Sequence, residues 1–257
     1  MKKFVLGDIH GSFKALKQVL EFSEFDYEND QLIFLGDVAD GYNEVAECVE
    51  ELLKIKNLIA IRGNHDIWLK DWLYQRIERE IWLKQGGIAS VESYKRTGLE
   101  KDQRHIDFFN TMQDWYIDDE NRLFIHGGWD YTAENFEIGA TKDVSESGGI
   151  GAMECHWNRS LFYYLRNFDF YSKIKDTENA QFLKEYDFSH LPHKQFKEIY
   201  IGHTQLDRKY PETYLNLTNM DSGAGWNGKL SIMNIDTKEI WQSDFSPHLY
   251  PEDKRFR

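Results

Sequence analysis

Five short apolar runs in this chain each end in a polar cluster that carries glycine together with aspartate, histidine or asparagine. Phe4-Val5-Leu6 runs into Gly7-Asp8-Ile9-His10-Gly11, and Leu32 to Leu35 into Gly36-Asp37. Leu58 to Ile61 leads to Arg62-Gly63-Asn64-His65-Asp66, Leu123-Phe124-Ile125 to His126-Gly127-Gly128, and Ile199-Tyr200-Ile201 to Gly202-His203-Thr204. The clusters offer Asp8, His10, Asp37, Asn64, His126 and His203, a mixed set of carboxylate, amide and imidazole donors. Such a set can hold two divalent ions about 3.5–4 Å apart, which supply a nucleophile and neutralise phosphoryl oxygens when a phosphate ester is hydrolysed. Because half the donors are nitrogen, Mn²⁺, Fe or Zn²⁺ suits the set better than Ca²⁺. One histidine after a strand is usually a satisfied polar turn residue, and one Gly-Asp is ordinary turn chemistry. Repetition at successive run ends decides for the metal reading.

Short apolar runs bounded by glycine read as buried strands. Between the first three lie helical spacings: Phe13, Leu16, Val19 and Leu20 behind Ser12 as N-cap, then Val45, Val49, Leu52 and Leu53. Strand–helix–strand–helix–strand implies parallel pairing with right-handed crossovers, and parallel strands deliver their following loops to one sheet edge. From Asp66 to about Met112 the pattern is mostly helical, broken at Gly86-Gly87. Beyond Pro211 no helical spacing is sustained. Tyr214 to Leu217, Leu230 to Ile235 and Glu239 to Gln242 read as a meander, with Asp236-Thr237-Lys238 as its last turn and a second sheet packed on the first.

The chain has 257 residues, 41% apolar, which supports a full α/β core. A net charge of −13 without a basic run argues against stable nucleic-acid binding and against an anionic membrane surface. Phe4-Val5-Leu6 is too short for a signal-peptide core, and Cys48 and Cys155 make no disulfide framework, so a cytoplasmic home is expected.

The ordered series Gly7-Asp8-Ile9-His10-Gly11, Gly36-Asp37-Val38-Ala39-Asp40, Arg62-Gly63-Asn64-His65-Asp66, His126-Gly127-Gly128 and Gly202-His203-Thr204 resembles that of the calcineurin-like metallophosphatases, with Asp221-Ser222-Gly223-Ala224 resembling a later motif. The spacing is most similar to the phosphoprotein phosphatase branch, which includes bacterial and phage serine/threonine protein phosphatases and symmetrical diadenosine tetraphosphate hydrolases. The resemblance implies one four-layer α/β/β/α sandwich domain over 1–257. It implies that Asp8 and His10 hold the first metal, that Asp37 bridges, and that Asn64, His126 and His203 hold the second. It also implies that a metal-bridging hydroxide attacks phosphorus, with His65 as general acid and Asp40 keeping it protonated.

Two features depart from that branch. The arginine that clamps the substrate phosphate there is Gly41 here, and Asp66 stands where a glutamate is usual. Arg159, in His156-Trp157-Asn158-Arg159-Ser160, resembles a phosphate-contacting arginine of phage-type enzymes; Arg62 is a second candidate by its place next to the metal motif. Residues 129–196 form an aromatic-rich insertion, with Trp157, Phe162, Tyr163, Tyr164, Phe168, Phe170 and Tyr171, expected as a cap near the site. Gly148-Gly149-Ile150-Gly151 within it lacks the strand–turn–helix context of a nucleotide fingerprint. Cys155 beside His156 reads as incidental. The expected activity is a metal-dependent, most simply Mn²⁺-dependent, phosphomonoesterase acting on a phosphoprotein or small phosphate ester. The alternatives are a diadenosine tetraphosphate hydrolase and an inactive metal-binding scaffold.

Overall fold

The computed structural model describes residues 1–133, 136–142, 153–174 and 192–253. The Gly148–Gly151 stretch lies outside them. In chain order the elements are β1 (Lys3–Leu6), α1 (Phe13–Phe22), β2 (Gln31–Phe34), α2 (Val45–Leu52), β3 (Asn57–Ala60) and α3 (Asn64–Gln75). A single turn, α4 (Glu80–Trp82), leads through Leu83–Gly87, kinked at Gly86 (φ 112°), into α5 (Ile88–Thr97), followed by α6 (Gln103–Thr111). Then come β4 (Trp115–Ile117), β5 (Arg122–Ile125), α7 (Phe136–Thr141), α8 (Ser160–Ile174), β6 (Glu198–Ile201), β7 (Glu212–Tyr214), β8 (Leu217–Asn219), β9 (Ser231–Asn234), β10 (Ile240–Gln242) and α9 (Ser246–Leu249).

Two five-stranded sheets form, in the orders β10-β9-β1-β2-β3 and β4-β5-β6-β8-β7. Strands β1, β2 and β3 are parallel, with Phe4 opposite Leu32 and Leu32 opposite Leu58. In the second sheet β5, β6 and β8 are parallel. Period-two alternation sorts their side chains into layers. Phe4, Leu6, Leu32 and Phe34 pack on the helices of the first sheet, whereas Val5, Ile33 and Leu35 meet Phe124, Tyr200 and Met220 of the second. On the far side Leu123, Ile125, Ile199 and Ile201 pack on α7 and α8 through Phe136, Leu161, Phe162 and Leu165. Both faces of the parallel strands are therefore buried, which is why their sequences are continuous apolar runs. The architecture is the expected α/β/β/α sandwich.

The C-terminal meander is divided between the sheets. Tyr214 to Leu217, read as one strand, is the turn of the β7–β8 hairpin, with Leu215 in the left-handed region (φ 56°). That hairpin edges the second sheet, while β9 and β10 run antiparallel beside β1 in the first. The four-residue α9, with Pro247 in its first turn, interrupts a tail read as free of helix. Ser12 does occupy the N-cap position of α1, but it makes no capping bond; its hydroxyl meets that of Ser246, 3.2 Å away in α9. Of the aromatic insertion, Phe162 and Tyr164 are buried in the core of the second sheet and Tyr163 and Phe170 are exposed.

Candidate metal and catalytic centre

Loops at the carboxyl ends of five parallel strands meet at one edge, where the two sheets face each other. The chain crosses left-handed backbone there: His10 (φ 48°), Asp37 (φ 59°), Asp40 (φ 70°) and His203 (φ 62°) all lie in the region L-residues avoid. Strain of this kind persists where the surroundings over-determine it. The Gly202 backbone lies so near Asp8 that an added Cβ would sit 2.1 Å from Asp8 Oδ1.

Three imidazoles each donate one ring N–H to a main-chain carbonyl. His10 Nδ1 reaches Ala39 O at 2.8 Å, His126 Nδ1 reaches Leu35 O at 2.8 Å, and His203 Nε2 reaches Trp157 O at 2.9 Å. Each therefore turns its remaining nitrogen toward the carboxylates, an arrangement that fixes the tautomer a metal requires. His10 Nε2 and His126 Nε2 lie 3.7 and 3.2 Å from Asp37 Oδ2, and Asn64 Oδ1 lies 3.1 Å from His126 Nε2. Ligand atoms of Asp8, His10 and Asp37 fall within 4.8 Å of one another, as do those of Asp37, His126 and His203. Asp37 is common to both groups.

The electrostatics ask for cations. Asp8 Oδ2 accepts the His203 amide at 2.9 Å, but its Oδ1 is buried without a hydrogen-bond partner. Burial and the charges of Asp221 and Asp37 hold the Asp8 carboxyl well above the usual carboxylate range. Burial also opposes ionisation of Asp37, yet His126, His65 and His10 outweigh it and hold that carboxyl well below. Burial lowers His10, and lowers His203 further with help from His126 and Arg159, so both rings favour the neutral, ligating form. An orphaned buried carboxylate oxygen among oriented neutral imidazoles fits two divalent ions.

Beside the cluster His65 Nδ1 donates to Asp40 Oδ2 at 2.5 Å, and the His65 amide is bound by Asp37 Oδ1. Burial works against charge on the His65 ring, but Asp37 and Asp40 prevail and hold it up to about 9. Asp40 is itself held: Trp82 Nε1 donates to both of its oxygens at 2.9 Å, and the Ser90 hydroxyl to Oδ1 at 2.7 Å. Asp66 accepts the amides of Gly63, Asp37, Val38 and Ala39, tying the loop after β2 to the start of α3. Burial and the Asp37 charge push its carboxyl up to about 7.

The two arginines differ in setting. Arg159 is exposed and its Nη2 lies 3.2 Å from the His203 carbonyl, at the rim of the cluster. The Arg62 guanidinium is engaged by Asp114 and by the Met112 carbonyl instead of any member of the cluster. Cys155 is buried, and its neighbour His156 pairs with Asp114 at 3.1 Å. Sequence reasoning missed Trp82 and Ser90, and saw Asp66 only as a departure. The polar residues of the helical stretch after Asp66 carried no signal beyond the glycine break, where the chain kinks at Gly86 beside Asp40.

A two-sheet sandwich with a carboxylate–imidazole cluster at its paired strand ends suits a metal-dependent hydrolase. The chain belongs to the calcineurin-like phosphoesterase family, whose model matches residues 1–207. It is similar to a symmetrical bis(5'-nucleosyl)-tetraphosphatase of Neisseria meningitidis serogroup A, at 24% identity over 94% of this chain and 95% of that protein. In fold it is similar to a metallophosphoesterase from Sphaerobacter thermophilus (TM-score 0.53, 15% identity, covering 98% of this chain and 94% of that one). It is also similar in fold to a serine/threonine phosphatase from Saccharomyces cerevisiae (TM-score 0.52, 16% identity, 95% and 79%). No helix among the described residues is long and apolar enough to cross a membrane.

Proposed function

We propose that this chain hydrolyses the central anhydride of a dinucleoside tetraphosphate, using Asp8, His10, Asp37, Asn64, His126 and His203 as metal ligands and His65 as general acid. The observation that carries the chemistry is the joining of two ligand groups through Asp37 beside the His65–Asp40 pair. Near full-length similarity to symmetrical tetraphosphatases supports the substrate. Two bound divalent ions, Mn²⁺ by preference, would neutralise the phosphoryl oxygens and make water nucleophilic at neutral pH. Asp40 orients the His65 ring and stabilises its charged form, and His65 passes its Nε2 proton to the departing oxygen. Arg159 stands where it can reach a phosphoryl oxygen from the His203 side. Arg62 would have to leave Asp114 to do so.

Metal-stripped protein, reloaded with Mn²⁺, should convert diadenosine tetraphosphate to ADP alone. It should also hydrolyse p-nitrophenyl phosphate, and lose on the order of 10²-fold or more in kcat in His65→Asn. AMP and ATP as products would overturn symmetrical cleavage. Activity on phosphopeptides with none on the dinucleotide would return the phosphomonoesterase reading. Metal uptake without hydrolysis of any ester would sink the catalytic reading altogether.

A further inference from the structure

A cavity of about 580 Å³ opens directly behind the catalytic loops. Its volume lies within the range of small-molecule sites, about 300–1,000 Å³. Two glycines bring it to the centre. Gly41 lines it, and the Gly41 backbone is so close to His10 that an added Cβ would sit 2.6 Å from the His10 carbonyl oxygen. Gly86 lines it too, with its Cβ position 3.3 Å from that of Asp40. A third approach comes through Gly225, whose Cβ position is 2.6 Å from Cγ of the His10 ring; the next residue, Trp226, lines the cavity. The space is therefore one residue away from a metal-ligand candidate.

Its walls are aromatic and apolar. Tyr42 and Tyr250 both line the cavity and stack at 4.2 Å between ring centroids. Trp226, 38% exposed, and Ile88, 55% exposed, line it with large apolar surfaces left open to solvent. The Tyr42 hydroxyl donates to the Trp226 carbonyl at 3.1 Å and the Trp226 amide to the Gly223 carbonyl at 3.1 Å, so the loop carrying the indole is fixed through its backbone. Glu92 and Glu252 also line the cavity, Glu252 lying 3.7 Å from the exposed Lys14 ammonium, while Lys84, a further lining residue, is paired with Glu80 at 2.5 Å. Carboxylate acceptors beside aromatic walls repel phosphate and acidic peptide. They complement a flat, uncharged heterocycle that carries an amino group.

We propose that this cavity is the nucleobase subsite of the enzyme: Trp226 and Ile88 give aromatic and apolar contact to an amino-bearing base, such as adenine, of the nucleotide whose phosphates lie on the metal cluster. The inference rests on the proposed dinucleotide substrate and assigns where that substrate is recognised. It also gives Gly41 a purpose, since the loop that lacks the phosphate-clamping arginine keeps this space open.

Adenosine has no phosphate, so its binding reports the subsite without the metals. Titrated into the full chain and followed by saturation-transfer NMR and calorimetry, adenosine should bind the natural protein. It should bind on the order of tenfold more weakly to Trp226→Ala, the scale of one base–aromatic stack. Ile88→Ala, which removes an apolar contact surface from an exposed position, should weaken it comparably. In the Mn²⁺-loaded protein the ratio of kcat/KM for diadenosine tetraphosphate to that for p-nitrophenyl phosphate should fall by a similar factor in both variants. Absence of adenosine binding to the natural protein, or equal losses for both substrates, overturns the subsite even if the dinucleotide is hydrolysed. Adenosine binding that both variants weaken, in a protein that leaves diadenosine tetraphosphate intact, upholds the subsite and removes the substrate reading instead.

Discussion

Gly41 stands where the resemblance to the phosphoprotein phosphatases leads one to expect an arginine, and from the sequence this reads as a lost phosphate clamp. Its backbone says more. At φ 72°, with a Cβ position 2.6 Å from the His10 carbonyl, the site admits glycine and little else. Gly41→Arg should therefore not restore a clamp. It should lower the melting temperature by the strain of a left-handed bulky residue, about 1–3 kcal/mol, and reduce kcat/KM on p-nitrophenyl phosphate by displacing His10; a gain in activity at unchanged stability would refute this. The second residue-scale argument concerns Ser90, whose hydroxyl both donates to Asp40 Oδ1 and accepts the Asp40 amide, each at 2.7 Å. Ser90→Ala leaves the buried Asp40 amide unpaired and leaves Oδ1 with the Trp82 indole alone, a cost of about 1–3 kcal/mol. If Ser90 also positions the His65–Asp40 pair, kcat measured well below the melting temperature should fall on the order of tenfold with KM unchanged. Loss of stability alone would leave Ser90 a structural residue.

At the scale of elements, Asp66 couples β2 to α3 by taking four amides at 2.8–3.2 Å. Asp66→Asn turns one acceptor oxygen into a donor that faces amide donors. It should cost about 2–4 kcal/mol in urea unfolding and weaken Mn²⁺ binding on the order of tenfold or more by calorimetry. Full metal affinity in a destabilised variant would separate the two roles and refute the second. The same scale explains what was legible in the sequence. Asp8, His10, Asp37, Asn64, His126 and His203 stood out because each follows an apolar run by one to four residues, and that proximity survives folding. Trp82 and Ser90 reach Asp40 across 42 and 50 residues. No local pattern marks such a contact. The division of β7 to β10 between sheets was hidden for a related reason: short antiparallel edge strands read alike whichever sheet accepts them, and the partner is chosen by packing.

Across the whole molecule, 44 acidic against 31 basic residues make loss of structure in acid a matter of which carboxylates are tied down. Glu51 of α2 is a clear case away from the active site. Burial alone would raise its carboxyl, but hydrogen bonds from Lys17 of α1, from Lys54 and from Tyr27 overcome it and hold the group at about 2, below the ordinary 4.5. A carboxyl depressed in the folded state contributes stability above its unfolded value and loses it as pH falls toward the folded value. Glu51 should thus stabilise the protein fully above about pH 4.5 and progressively less down to about pH 2. Lys17 and Lys54 are 49% and 61% exposed at the side chain, so solvent screens the pairs and the contribution is about 1 kcal/mol, well short of what the shift alone implies. Glu51→Gln should lower the unfolding free energy at pH 7 by that amount and flatten the slope of stability against pH between 4.5 and 2, where the net charge is already positive and the natural protein weakens. Unfolding curves at pH 7, 4.5 and 3 measure both. Parallel profiles for variant and natural protein would show that the α1–α2 tie contributes through packing and not through its charge.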